Sequence, residues 1–162
     1  DLLLILVPRH PQRFEKVELL LQKHPLHAIK LSQTNHIDDK TDVVLADKMG
    51  MLKQLYGIAD IAFVGGSIAN RGGHNALEPA LLQVPVVMGE HIYNNPAICH
   101  ALETQGALKI TKTTEALTHQ VAQWLQHPEQ AKAAGLAGQS VIETNRGAIE
   151  TTANVVGLTS EK

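Results

Sequence analysis

The chain has 162 residues, 44% of them hydrophobic and 19% charged, with a formal net charge of −2; this is the profile of a single globular domain able to bury a core. Aromatic residues make up only 3% and no basic block occurs, which argues against nucleic acid as the main partner. One cysteine, Cys99, excludes an intrachain disulfide framework, the nine histidines fall in no metal-ligand spacing, and no run reaches a membrane span.

Leu2–Val7 is a continuous apolar run closed by Pro8 and is expected as a buried parallel strand. The chain opens on Asp1 without an initiator methionine, and a strand starting so abruptly suggests a fragment of a larger protein. After the rigid loop Pro8-Arg9-His10-Pro11, Phe14, Val17, Leu20 and Leu21 fall at helical spacing within Arg13–His24, and Pro25 ends that helix. His27–Leu31 reads as a second strand, Ser32–Thr41 as loop, and Asp42–Ala46 as a third strand. A tight turn at Asp47–Gly50 leads into a helix with Met49, Leu52, Tyr56 and Ala59 on one face.

Ile61–Val64 is the expected fourth strand. The glycine-rich stretch Gly65–Glu78 follows it, and Ala76–Gln83 is expected to be helical, with Pro79 tolerable only near its first turn. Val84–Met88 is the fifth strand, Asn94–Gln105 a helix ended by Gly106, and Ala107–Ile110 the sixth strand. Thr114–Gln126 is a helix carrying Leu117, Val121, Trp124 and Leu125 on one stripe. A last helical region runs from Pro128 or Glu129 to about Val156, interrupted by Gly135, Gly138 and Gly147, so that one or more kinks are expected. Apolar strands alternating with helices predict an α/β fold: a Rossmann-like, parallel six-stranded sheet with helices on both faces, residues 1–162 forming one domain.

In such sheets ligands bind beyond the carboxyl ends of the strands. Three loops leave that edge with unusual residues: Pro8–Pro11, Asp47–Gly50 and Gly65–Asn75. Arg9 is a permanent cation suited to phosphate or carboxylate, on a loop stiffened by two prolines. The plainer alternative is a surface arginine beside a turn, and His10 is likewise either a second donor or an exposed loop histidine. Gly50 permits close backbone approach, or serves as a simple helix-entry turn; Met49 is a core residue or a flexible wall of a base pocket. Gly65, Gly66, Gly72 and Gly73 free the third loop for positive φ, so that the amides near Gly66 and Gly73 and the Ser67 hydroxyl can face a phosphate. Glu78 is acceptor-only when ionised, which suits the paired hydroxyls of a ribose, or it stabilises the helix dipole. His74 and Asn75 are further ligands or helix caps. No Gly-x-Gly-x-x-Gly follows the first strand, and neither a P-loop nor a Gly-x-Ser-x-Gly elbow occurs.

The string Leu6-Val7-Pro8-Arg9-His10-Pro11, Met49-Gly50, Ala62-Phe63-Val64-Gly65-Gly66-Ser67, Gly72-Gly73-His74-Asn75 and Glu78-Pro79-Ala80 resembles, in order and spacing, the C-terminal half of the Kdo (3-deoxy-D-manno-octulosonic acid) transferases of lipopolysaccharide synthesis. Pro85, Met88-Gly89 and Asn145-Arg146-Gly147-Ala148 also fit. The resemblance covers nearly the whole chain, although Glu-Pro-Ala alone is shared by several glycosyltransferases with two Rossmann-like domains. Met51 stands where family members often carry Glu, and Ile68-Ala69-Asn70-Arg71 falls in a variable segment.

The resemblance implies the C-terminal half of a GT-B glycosyltransferase: a domain that binds CMP-Kdo, with no metal and no other cofactor. An N-terminal domain outside this chain would take the lipid A precursor, supply the catalytic base and make any membrane contact, at the cytoplasmic face of the bacterial inner membrane. Arg9, Gly66, Ser67, Gly73, His74 and Asn75 would hold the phosphate, Glu78 the ribose, and Met49 and Gly50 would lie near the nucleotide, with His10 beside Arg9. Arg9 would stabilise the leaving group, and no residue of this chain is assigned as general base. The competing expectations are another GT-B nucleotide-sugar enzyme, such as a UDP-sugar transferase or 2-epimerase, and a non-catalytic nucleotide-binding module.

Overall fold

The computed structural model describes residues 2–34 and 36–155, with side chains up to residue 145. Val156, the expected end of the last helix, and the side chains of the Arg146–Ala148 motif lie outside the described residues. The chain divides into two compact units, Asp1–Leu55 and Tyr56–Lys162.

In the first unit, β1 (Leu4–Leu6), β2 (Ala28–Lys30) and β3 (Val43–Leu45) form a parallel sheet of order β1-β3-β2. The register sets Leu6 and Lys30 on either side of Leu45. All of β3 is buried, as a central strand read from Val43-Val44-Leu45 should be. The expected burial of β1 is corrected: Leu4 is 47% exposed. An unbroken leucine run carries no period, so it cannot tell a central strand from one with a single ladder neighbour. A 3-10 turn at Pro11–Arg13 leads into α1 (Phe14–Leu21), where Glu18 accepts from Lys30 Nζ at 2.8 Å and ties the helix to β2.

In the second unit, β4 (Ala62–Phe63), β5 (Val86–Gly89) and β6 (Leu108–Thr111) form a parallel sheet of order β4-β5-β6. Its helices are α3 (Leu77–Leu81), α4 (Pro96–Thr104), α5 (Thr114–Gln126) and α6 (Pro128–Val155); the short α2 (Leu52–Tyr56) spans the division between units. Successive β5 side chains point to opposite faces. Val86 and Met88 join Ala80, Cys99, Leu102, Leu108 and Ile142 in one cluster, while Val87 meets Trp124, Ala131 and Ala134 in another. The strand is therefore covered on both sides, the arrangement its unbroken apolar run predicts.

The predicted strands are all present and all paired in parallel, but as two sheets of three, each within one unit, and not as one sheet of six. Apolar periodicity identifies strands; it does not choose their ladder partners. The last helical region is α6, unbroken through Gly135, Gly138 and Gly147. Two of its glycines serve packing. A Cβ at Gly135 would collide with the Gln83 carbonyl oxygen, and one at Gly138 would stand 3.3 Å from the Cβ atoms of Ala80 and Ala107. No described helix is long and apolar enough to cross a membrane.

Candidate functional site

In the first unit two loops leave one sheet edge. Leu6 and Leu45 are register partners, so the segments after them, Pro8–Pro11 and Asp47–Gly50, leave neighbouring strands on the same side. Arg9 and His10 are exposed, and Pro11 opens the 3-10 turn. Met49 is 65% exposed and so is no core residue; Gly50 has φ +82°, a conformation that favours glycine. Asp47 anchors this loop, since its carboxylate accepts from the Ser32 amide at 2.8 Å and from the Ser32 hydroxyl. Partial burial pushes the Asp47 carboxyl up, but the two Ser32 hydrogen bonds, the bond to its own amide and the Lys30 charge together bring it below its ordinary range.

The second unit carries the glycine loop. Val64 continues β4 through a bond to Val87 O at 3.0 Å, and the chain then turns at Gly66, φ +74°. Gly72 and Gly73, at φ +80° and +74°, bring it back. The loop closes on itself: the Gly73 amide donates to Gly66 O at 3.0 Å and the His74 amide to Gly65 O at 2.9 Å. The His74 ring lies over Gly66, where an added Cβ would stand 3.3 Å from Nε2.

Three expected phosphate donors are therefore committed elsewhere. The amides of Gly73 and His74 bond within the loop. Ser67 is fully buried; its hydroxyl donates to Val64 O at 2.7 Å and accepts the Gly89 amide at 2.8 Å. The expectation that this hydroxyl faces a ligand is corrected, because it joins the loop root to the end of β5.

Asn75 and Glu78 stand together at the start of α3. Asn75 Oδ1 accepts the Leu77 amide at 3.0 Å, and its Nδ2 donates to Glu78 Oε1 at 3.2 Å. Asn75, one residue before the Ala76 N-cap, thus satisfies the first amide of the helix and orients the carboxylate, leaving Glu78 Oε2 as a further acceptor. Pro79 occupies the third position of α3, consistent with its confinement to the first turn. Tyr56, part-buried, has its phenol pushed up to about 12, first by burial and then by the negative charge of Glu78.

Sequence reasoning missed the loop that holds the glycine loop in place. Asn94, expected as the first residue of a helix, lies before α4, which starts at Pro96. Its amide donates to Gly72 O at 3.0 Å, and its side-chain Nδ2 donates to Gly73 O at 2.9 Å and to Arg71 O at 3.0 Å. The His91 amide adds a bond to Ser67 O at 3.0 Å. Gly89 is needed for this approach, since a Cβ there would collide with Ser67 O. The one signal in the sequence is Asn94-Asn95-Pro96 itself, a turn-forming pair before a proline that opens a helix. Gly66, Ser67, Gly73, His74, Asn75 and Glu78 are thus brought together in the second unit, and Arg9, His10, Met49 and Gly50 on one sheet edge of the first.

Residues 21–141 match the family described as glycosyl transferases group 1. The chain is 45% identical over 151 residues to the 3-deoxy-D-manno-octulosonic acid transferase of Haemophilus influenzae, covering 93% of this chain and 35% of that protein. It is 33% identical over 152 residues to the protein of the same name from Bordetella pertussis, with coverages of 93% and 35%. Among solved structures it is similar to the C-terminal CMP-Kdo binding domain of WaaA from Acinetobacter baumannii, with a TM-score of 0.81 and 34% identity over 85% of this chain and 72% of that one. The likeness to Kdo transferases carried by the motif string is therefore found again in whole-sequence and structural similarity. The chain spans about a third of the length of the curated relatives it matches.

Proposed function

The chain belongs to the glycosyl transferases group 1 family, and we propose that it is the donor-binding part of an enzyme that transfers Kdo from CMP-Kdo to a lipid A precursor. The observation that carries this reading is the similarity, over 85% of the chain, to a CMP-Kdo binding domain. The loop chemistry supports it. In the first unit Arg9, flanked by His10, is suited to an anion such as the donor phosphate; in the second the Gly66 region, with His74 and Asn75, is suited to the same chemistry. The Glu78 carboxylate, oriented by Asn75, accepts from the ribose hydroxyls. Met49 and Gly50 border the base.

In the transfer, an acceptor hydroxyl attacks the anomeric carbon while the bond from that carbon to the phosphate oxygen breaks. The electron pair leaves with CMP, and the hydroxyl proton passes to a base contributed by residues outside this chain. Negative charge grows on the phosphate as the bond breaks. A guanidinium such as that of Arg9, held at the phosphate, stabilises that charge more in the transition state than in the ground state, and this differential accelerates the step. In this reading the reaction uses no metal, and acceptor binding and membrane contact at the cytoplasmic face belong to residues outside the chain.

The test is calorimetric and thermal-shift titration of the chain with CMP and with UDP. Selective binding raises apparent stability by mass action. CMP is expected to bind and to raise the melting temperature more than UDP. Stronger stabilisation by UDP would move the assignment to a UDP-sugar enzyme, and no response to either would remove the donor reading.

A further inference from the structure

The hydrogen bonds between the two loops of the second unit carry an inference about a residue with no assigned role. Between Ser67 and Gly72 the chain makes an exposed excursion through Ile68, Ala69, Asn70 and Arg71. At the Ser67 end it is fixed by buried bonds to the Gly89 amide and to Val64 O. At the other end the glycines contribute no side chain, and Asn94 makes the connection, with three donors directed at three consecutive carbonyls, those of Arg71, Gly72 and Gly73. The fit is close, because a Cβ on Gly72 would collide with Asn94 Oδ1 and one on Gly73 would stand 2.7 Å from Met88 Cε.

Gly66, Gly72 and Gly73 all lie at positive φ. Glycine reaches that region without penalty but is not confined to it, so the loop's shape must be imposed by its contacts. Among the described side chains, Asn94 is placed to impose it: its two Nδ2 hydrogens are matched to two carbonyl oxygens.

We propose that Asn94 is a positioning residue for the donor, its side-chain amide holding Arg71 O and Gly73 O so that the Gly65–Asn75 loop stands ready for the donor phosphate before it arrives. The inference rests on the donor reading above. It assigns Asn94 no contact with the donor; its contribution is to lower the ordering cost that binding would otherwise meet.

The test compares the wild-type chain with Asn94→Asp and Asn94→Ala. The aspartate is nearly isosteric but sets oxygen against both carbonyls, whereas alanine leaves them to water. The first measurement is amide hydrogen exchange of Gly73 and His74 in the ligand-free chain, together with their amide chemical shifts. The second is the CMP dissociation constant at a temperature where all three proteins are folded. Two lost hydrogen bonds predict roughly tenfold faster exchange and roughly tenfold weaker CMP binding in both variants, with the aspartate no better than alanine. CMP binding by the wild type with unchanged affinity in the variants overturns the proposal, whatever the exchange shows. Weakened CMP binding with unchanged Gly73 and His74 exchange and shifts overturns it too, because Asn94 would then act by another route. No CMP binding by the wild type overturns the donor reading first, and this assignment with it.

Discussion

The hydroxyl of Ser67 accepts the backbone amide of Gly89 at 2.8 Å, joining the root of the glycine loop to the end of β5 from a fully buried position. Its own hydrogen goes to Val64 O at 2.7 Å. Ser67→Ala therefore strands one buried donor and one buried acceptor, and the expected loss is about 2 kcal/mol or more of unfolding free energy. Gly89→Ala attacks the same junction from the other side, since its Cβ would meet Ile68 N at 2.6 Å; a loss of about 1–3 kcal/mol is expected from overpacking. Urea denaturation of the two variants checks both. A Ser67→Ala protein as stable as wild type would return the hydroxyl to a ligand-facing role.

Gly135 gives a prediction with a reversed sign. In an exposed helix interior, glycine to alanine stabilises by about 1 kcal/mol. Here the added methyl would strike the backbone carbonyl of Gln83, which sits at φ +60° two residues after the end of α3. Gly135→Ala is expected to destabilise by about 1–3 kcal/mol. Gly138→Ala meets nothing nearer than the methyls of Ala80 and Ala107 at 3.3 Å and the Ala80 Cα at 3.5 Å, so its cost should be smaller. Equal and favourable effects at both positions, measured by thermal denaturation, would contradict the packing role.

These two junctions show where the sequence could be read and where it could not. The strands and most helices follow from short apolar runs and their spacing, and α5 runs over the residues its stripe predicts, Thr114–Gln126. The stretch Gly65–Glu78 was legible as a glycine-rich turn running into a helix start, because four glycines, an asparagine and a carboxylate stand within a few residues. Ser67, Asn94 and Gly135 were not legible in their roles. Each acts on a partner far away in sequence: Ser67 on Gly89, Asn94 on Arg71 and Gly73, Gly135 on Gln83. A local pattern cannot report whether a hydroxyl turns inward, or whether a helical glycine marks a kink or a close approach. The division into two three-stranded sheets was hidden for a related reason, since strand pairing is a long-range choice.

The Tyr56–Glu78 pair gives a pH-dependent prediction. The Tyr56 phenol ionises at about 12, above its ordinary 10.0, through burial and the Glu78 charge. The folded state thus prefers the neutral phenol. The stability this contributes is complete below pH 10 and is lost as pH rises towards 12, where the unfolded chain has already ionised. Glu78→Gln removes the charge and leaves the burial. The Tyr56 titration, followed by phenolate absorbance against a Tyr56→Phe control, should move down yet stay above the ordinary value. An unmoved titration would show that the carboxylate does not act on the phenol.

Arg9 supplies the prediction closest to chemistry. It lies between Pro8 and His10-Pro11 on an exposed segment after β1, where the two prolines restrict the backbone that presents it. In the proposed transfer its guanidinium faces a phosphate whose charge increases as the bond to Kdo breaks. Arg9→Ala, assayed in a full-length Kdo transferase carrying this chain, should lower kcat/KM by about 10²-fold or more, the scale of losing a preorganised donor. The CMP affinity should fall by a smaller factor, because the interaction grows towards the transition state. Arg9→Lys keeps the charge without the planar two-pronged geometry, and an intermediate loss is expected. If turnover in Arg9→Ala stays near wild type, leaving-group stabilisation belongs to another group. If CMP affinity and kcat/KM fall equally, Arg9 binds the ground state as tightly as the transition state and does not accelerate the bond-breaking step.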